Sequence, residues 1–158
     1  MSTSNLLTGT GQLFFIYDVS GTNTELKGIF SKEDGVSYDG KSVEAINISV
    51  QGDTVSSFIP SDFATFGAVS ASAFVSKSTD LDAIVGKQGL LVWSTDGLAD
   101  GQSFPTTPAD MIEANYVAAM NSGKSGNAIL TAAPVTGSNN AAQKASLTFT
   151  WCGDVSNK

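Results

Sequence analysis

Turn punctuation constrains this chain more than any other feature. Gly21, Asp34-Gly35, Asp39-Gly40, Gly52-Asp53, Asp96-Gly97, Asp100-Gly101 and Gly137-Ser138-Asn139-Asn140 cut the sequence into pieces too short for long helices. Gly, Asn and Asp hold tight turns because they tolerate or stabilise backbone conformations that other residues resist. The pieces between them have strand chemistry. Gln12 to Val19 (QLFFIYDV) is apolar and aromatic on both faces, the signature of a central strand covered on both sides. Ala145 to Trp151 alternates, with Leu147, Phe149 and Trp151 inward and Ser146, Thr148 and Thr150 outward. Glu44 to Val50 alternates too, with Ile46, Ile48 and Val50 on one side; after a Gly52-Asp53 turn, Thr54 to Ile59 can pair back on it. Gly89 to Ser94 is a short buried run, and Glu25 to Phe30, Ala68 to Val75 and Ala128 to Ala133 are weaker strands.

One helix is expected, from Pro108 to Ser122. Thr107 can cap it, Pro108 suits its first turn and Asp110 favours its positive end. Ile112, Tyr116 and Met120 make an apolar stripe at a spacing of four, broadened by Met111 and Ala119, before Gly123 ends the run. A shorter helical turn starts near Ser78 or Thr79 and runs to Gly86. No linker or internal repeat divides residues 1–158. The expected fold is therefore mainly β, a single domain: a sandwich or barrel of about seven to eight short strands with one flanking α-helix.

Charge narrows the function. Only 15% of residues are charged, against about 25% in an ordinary globular protein. Ser, Thr and Gly make up about a third of the chain instead. All eight cationic residues are lysines, scattered singly, and the net charge is −7. Nucleic-acid binders cluster basic residues and favour Arg for reading guanine, so specific binding to nucleic acid is not expected, nor is binding to an anionic membrane. The start of the chain lacks the basic and apolar segments of a signal peptide, and no apolar run reaches the length of a membrane span; synthesis in a cytoplasm is expected.

The candidate chemistry has simpler explanations. With no His, Ser-His-Asp and Cys-His triads are out, and so are nearly all zinc sites. Cys152 reads as a small hydrophobe. Gly123-Lys-Ser lacks the preceding strand and following helix of a phosphate loop and reads as a helix C-cap. Asp96 to Gly101 and the pair Asp80 and Asp82 lack the converging carboxylates of a calcium loop and read as turns. Carboxylate-only hydrolysis stays open in principle, but Trp93, Trp151 and Tyr17 fall inside strands, where core packing is their expected role. No cofactor and no catalytic residue is expected, and an enzyme ranks third among the functional classes.

The Ser/Thr-rich lead, Leu7-Thr-Gly-Thr-Gly-Gln-Leu-Phe-Phe opening the first strand, the many short strands with one helix, and the closing Leu147-Thr-Phe-Thr-Trp together resemble the structural proteins of bacteriophage virions. Tail-tube subunits, which stack as hexameric rings, are β-sandwiches flanked by one helix; here the helix falls late, leaving about two strands after it. The resemblance implies a homo-oligomeric structural subunit found in the virion, with copies of itself and other virion proteins as partners. A tail-tube subunit ranks first, and a capsid decoration protein second. A carbohydrate-binding or adhesive β-sandwich is the rival class. In a tube, carboxylates lining the lumen would repel DNA phosphates.

Assembly should use apolar surface left over by the strand pattern. Two segments qualify. Lys32 to Lys41, with Val36 and Tyr38, reads as a protruding hairpin whose deletion would leave a folded domain. Phe58 to Phe66, with Phe58, Ile59, Phe63 and Phe66, holds more apolar surface than a loop around Pro60 should expose. Ends such as Val155 to Lys158 fray unless something, here a neighbouring subunit, holds them.

Overall fold

The apolar run that opens the first strand sets the architecture. In the computed structural model, which describes residues 12–19, 21–28, 35–75, 80–137, 139 and 141–158, β1 (Gln12–Val19) is buried on both faces. It is followed by β2 (Thr22–Lys27), β3 (Val36–Tyr38), β4 (Lys41–Asn47), β5 (Phe58–Phe66) and β6 (Val69–Phe74). A one-turn helix α1 (Leu81–Ile84) leads into β7 (Gln88–Ser94). Then come α2 (Glu113–Ala119), β8 (Gly123–Ala132), β9 (Val135–Thr136), β10 (Lys144–Trp151) and β11 (Ser156–Asn157).

The main antiparallel sheet runs β2-β1-β7-β8-β10-β6-β3, with β11 added to β8 and β9 to β10; β4 and β5 form a sheet of their own. The main sheet curls. Phe15 on β1 and Phe149 on β10 have ring centroids 5.1 Å apart although β7 and β8 lie between their strands. Three strand spacings in a flat sheet would separate them by ~14 Å. Tyr38 on β3 likewise meets Trp93 on β7 at 6.3 Å. A register shift between Thr148 and Phe149 lies where β10 passes β8, as bulges do where sheets bend. The result is an open barrel in which Leu13, Phe15, Leu91, Leu130, Leu147 and Phe149 fill the inside and α1 adds Leu81 and Ile84. On the outer side of β1 and β7, Phe14, Ile16 and Val92 pack under Met111, Tyr116 and Met120. The expectation of a mainly β fold with one flanking helix thus holds.

The helix is shorter than its sequence suggests. Pro108–Asp110 is a single 3₁₀ turn, and Ile112 is extended (φ −118, ψ 155) before α2 begins. Asn115 Nδ2 donates to the Asp110 carbonyl at 2.8 Å across this break, while Met111 turns into the outer apolar cluster. Ile112 consequently leaves the apolar stripe and is exposed. At the other end Met120 is extended and bridges Leu98, and Gly123 opens β8 opposite Ser94. The Gly123-Lys-Ser segment is strand and not a helix C-cap, a correction that still leaves no helix after it to hold a phosphate.

Two further expectations change. The first concerns Val155 to Lys158, which the chain holds itself: β11 pairs with β8, the Lys158 amide donates to the Gly123 carbonyl at 2.9 Å, and Lys158 Nζ donates to the Val117 carbonyl. The second concerns the Gly52 hairpin. The Asp53 amide donates to the Val50 carbonyl at 3.1 Å, so Gln51 and Gly52 are the central pair. Gly52 takes φ +95 at the third turn position, where positive φ favours glycine, and Asp53 Oδ2 accepts from the Val50 amide at 2.8 Å.

Candidate assembly surface

Strands β4 and β5 form an arm. They pair with each other alone, every residue of β4 is exposed, and in β5 only Ser61 and Phe66 are partly covered. The arm continues the β3–β6 pair around a corner: the Asp39 amide donates to the Ala68 carbonyl at 3.2 Å, and the Gly67 amide to the Gly40 carbonyl at 2.8 Å. Beyond the corner the ladder runs Lys41↔Phe66 to Asn47↔Phe58, with a shift between Val43 and Ala45 where Pro60 enters opposite Ala45. Proline has no N–H to give a ladder, so it sits at such irregularities on edge strands. At the far end the Ser49 hydroxyl accepts from the Ser57 amide at 2.7 Å, and Asn47 Oδ1 accepts from the Ser49 amide at 2.9 Å.

Both faces of this arm carry exposed apolar side chains, with Val43 (44% exposed) and Phe58 (56%) on the side away from Ile46 and Ile59. Ile46 stands directly opposite Ile59, and strand alternation puts Ile48 and Phe63 on the same side. Their exposures are 44% for Ile46, 49% for Ile48, 45% for Ile59 and 84% for Phe63. A two-stranded ribbon with this much exposed apolar surface is marginal alone in water and gains stability when that surface is covered.

The structure divides the expected interface residues. Phe58, Ile59 and Phe63 lie on the arm and are exposed. Phe66 is at its base, half-buried against the core, with Lys41 Nζ 5.7 Å from its ring centroid. The segment containing these four is a strand, not a loop around Pro60. Val36 and Tyr38 are half-buried against the core, and β3 pairs with β6 at the sheet edge, so they do not belong to a protruding hairpin. Residues 32–34 of that segment lie outside the described residues. Deleting Lys32 to Lys41 would remove an edge strand of the barrel as well as the base of the arm. Sequence reasoning did not assign Ile46 and Ile48 to the surface. Their alternation with Asn47 and Ser49 says that one side is to be buried, without saying by which chain.

The lysines are tied to rings. Lys27, Lys41, Lys87, Lys124 and Lys144 each stand over an aromatic ring, at 5.4 to 5.7 Å from its centroid. Outside α2 the wall of β3, β6 and β10 carries hydroxyls: Ser37 faces Ser70, Ser70 faces Thr148, and Ser72 faces Ser146. Lys144, opposite Phe74, stands at the end of these rows.

Among the described residues no three His, Cys, Asp or Glu side chains gather to hold a metal ion. A shallow depression of about 370 Å³ is lined by Ile16, Asp18, Asn23, Gln88, Met111 and Asn127, among others, with Asp18 its one acid. It therefore lacks the facing carboxylates that glycoside hydrolysis needs. Trp151 is buried, while Trp93 and Tyr17 pack against the core, which gives all three a structural role. Cys152 is exposed rather than buried. No helix among the described residues is long and apolar enough to cross a membrane.

The fold thus defines a class: an open antiparallel barrel with one helix on its outer wall and a two-stranded arm carried around a corner from its edge. Chains of phage-like tail and baseplate particles are similar to this chain in overall fold. One is a chain of the anti-feeding prophage baseplate in a six-fold symmetrised cryo-EM structure, 12% identical, with 100% of this chain and 97% of that chain covered and a TM-score of 0.63. Another belongs to the tail of an empty gene transfer agent particle refined with C6 symmetry, 12% identical over 92% of this chain and 95% of that one, TM-score 0.55. A third comes from the virion of a native gene transfer agent particle, 10% identical with the same coverage and a TM-score of 0.52. No protein-family model and no curated protein sequence matches the chain. At these identities the likeness is one of fold.

Proposed function

We propose that this chain is a structural subunit of a homo-oligomeric virion assembly, and specifically a subunit of a tail tube. The observation that carries the proposal is the arm, whose Ile46, Ile59 and Phe63 are set out in water and make sense once a neighbour covers them. The fold it shares with chains of tail and baseplate particles favours a tail position over the capsid-decoration alternative. That likeness also supports a ring of six.

A tube must also let a polyanion pass. The hydroxyl wall of β3, β6 and β10 suits a lumen, since Ser37, Ser70, Ser72, Ser146 and Thr148 are short, wettable and uncharged. It has no apolar core to bury in a subunit contact, and few cations to grip phosphate. On this reading the neutrality of the wall, rather than a lining of carboxylates, keeps DNA from sticking. The acids Glu44, Asp53 and Asp62 lie on the arm, and Asp110 and Glu113 lie on the helix side.

Light scattering and negative-stain microscopy of the purified chain at high concentration test the proposal. Rings or tubes are expected. A monomer that stays monomeric would overturn the tube reading and favour a decoration protein or a glycan-binding module.

A further inference from the structure

The outer side of the barrel holds a depression that self-assembly leaves without a role. Four neighbouring strands build it: β2, β1, β7 and β8. The registers set Asp18 beside Asn23, Ile16 beside Leu90, and Leu90 beside Asn127, so these side chains share one face. Gln88 joins them, two residues before Leu90 on the same strand. Ile16 and Met111 are buried and Leu90 is half-buried, and together they make an apolar floor. Round that floor stand the polar side chains, one acid and three amides. Asn23 Nδ2 also donates to the Pro108 carbonyl at 3.4 Å, which ties β2 to the turn that leads into Met111.

We propose that this depression binds one unit of a neutral sugar. Its volume, about 370 Å³, lies at the small end of ligand sites, which run from ~300 to ~1,000 Å³. A pyranose asks two things of a protein: planar polar groups for its adjacent hydroxyls, and an apolar surface for its C–H face. The Asp18 carboxylate accepts only, while the amides of Asn23, Gln88 and Asn127 both donate and accept. No hydrogen bond between described residues engages the side chains of Asp18, Gln88 or Asn127, so none has to break when hydroxyls arrive. Other ligand classes fit this lining less well. A single carboxylate is too few for a metal ion. An anion would meet Asp18 without a cation to offset it, because Lys87, next to Gln88, is held over the Tyr17 ring. A purely apolar ligand would strip water from four polar side chains with nothing in return. The hydroxyl wall lies on β3, β6 and β10, so a lumen formed there does not occupy the depression. An assembly displays the depression many times over, which turns a weak single contact, ~1 mM, into avid binding of a polysaccharide with repeated neutral units.

Saturation-transfer difference NMR on the full chain tests this, and it reads monomer and assembly alike. The probes are the methyl glycosides of glucose, galactose, mannose and N-acetylglucosamine, with that of sialic acid as the charged control. Saturation of the protein methyls is expected to reach a neutral glycoside, strongest at the C–H protons of one sugar face, with a Kd on the order of 1 mM. Gln88→Ala combined with Asn127→Ala should weaken that binding about tenfold, since two hydrogen-bonding groups are lost. Both positions are exposed, as is Asp18, so Asp18→Ala serves as a second variant should the pair fold poorly. Phe63→Ser, on the arm, should bind as the parent does. No transfer to any neutral glycoside, equal binding by parent and depression variants, or a preference for the sialoside would each overturn the sugar site. Light scattering of the same samples reports assembly separately: a monomer that binds sugar keeps the site and sinks the tube, and a tube that binds none does the reverse.

Discussion

The Gly67 amide donates to the Gly40 carbonyl at 2.8 Å, and this bond closes the corner at which the arm departs from the barrel. The two glycines serve it differently. Gly40 takes φ +86 with open space around it, whereas Gly67 is hemmed in: a Cβ there would lie 2.5 Å from the Asp39 Cβ and 2.9 Å from the Gly40 carbonyl oxygen. Gly67→Ala must therefore move backbone and re-aim the arm. We expect a loss of about 1–3 kcal/mol in urea unfolding, the usual cost of overpacking, together with loss of assembly. Gly40→Ala should cost about 1–2 kcal/mol through its left-handed backbone, with less effect on the arm's direction. Equal assembly by the two variants would show that the corner does not aim the arm.

The same bond makes the arm removable. Gly40 and Gly67 are already within hydrogen-bonding distance, so replacing residues 41–66 by Asn-Gly should close a two-residue hairpin on the β3–β6 pair. The inner core loses only Phe66 at its margin. The shortened chain should melt cooperatively and run as a monomer under conditions in which the full chain assembles. Phe63→Ser, a milder change at an 84% exposed site, should leave monomer stability within about 0.5 kcal/mol and weaken assembly. Tyr38→Ala should do the reverse of Phe63→Ser: it removes a ring packed on Trp93 and lowers stability first.

How far the sequence could be read follows from this contrast. The run from Gln12 to Val19 was legible because it is apolar on both faces, and the run from Ala145 to Trp151 because burial of one face imposes a period of two. Glu44 to Val50, on the arm, alternates too, and period alone cannot name the surface that covers it. Val36 and Tyr38 sit between two Asp-Gly turns and look like a hairpin tip, yet an edge pairing with β6 draws them to the core, a contact more than thirty residues away in sequence. The helix was legible in position but not in length. Its Pro108 start suits a 3₁₀ turn as well as an α-helix, and the break at Ile112 answers to Met111 finding the outer cluster. The curl of the sheet, which brings Phe15 against Phe149 and Tyr38 against Trp93, has no local signature at all.

If the hydroxyl wall faces the lumen, charge placed there should act on cargo and not on assembly. Ser70 and Thr148 stand opposite each other on β6 and β10, outside the arm. The double variant Ser70→Lys, Thr148→Lys should form tubes like the parent, because Ser70 is exposed, Thr148 is half-exposed, and neither packs in the core. Tubes of the variant should then retain short duplex DNA at low salt and release it as salt rises, reflecting the release of counterions from phosphate. Parent tubes should retain none. Variant subunits that fail to assemble would instead place this wall in a subunit contact.

A last prediction concerns acid. Glu25 on β2 is half-buried beside α2, whose Tyr116 is fully buried with its hydroxyl lacking a partner in hydrogen-bonding geometry. Burial pushes the Glu25 carboxyl above its usual range, with Lys27 and the polar contact to Tyr116 opposing. Burial, with the Glu25 charge adding to it, raises the Tyr116 phenol as well. A carboxylate whose pKa is higher folded than unfolded binds more protons in the folded state, so its ionisation costs stability as pH rises through that folded value. Below the unfolded value of about 4.3, where both states are protonated, no cost remains. Glu25→Gln should therefore melt at a higher temperature than the parent at pH 7, and the difference should close as pH falls toward 4. Melting curves of the two chains across that interval decide the matter: a parent that outlasts Glu25→Gln at pH 7 would mean the charged form is the one the fold prefers.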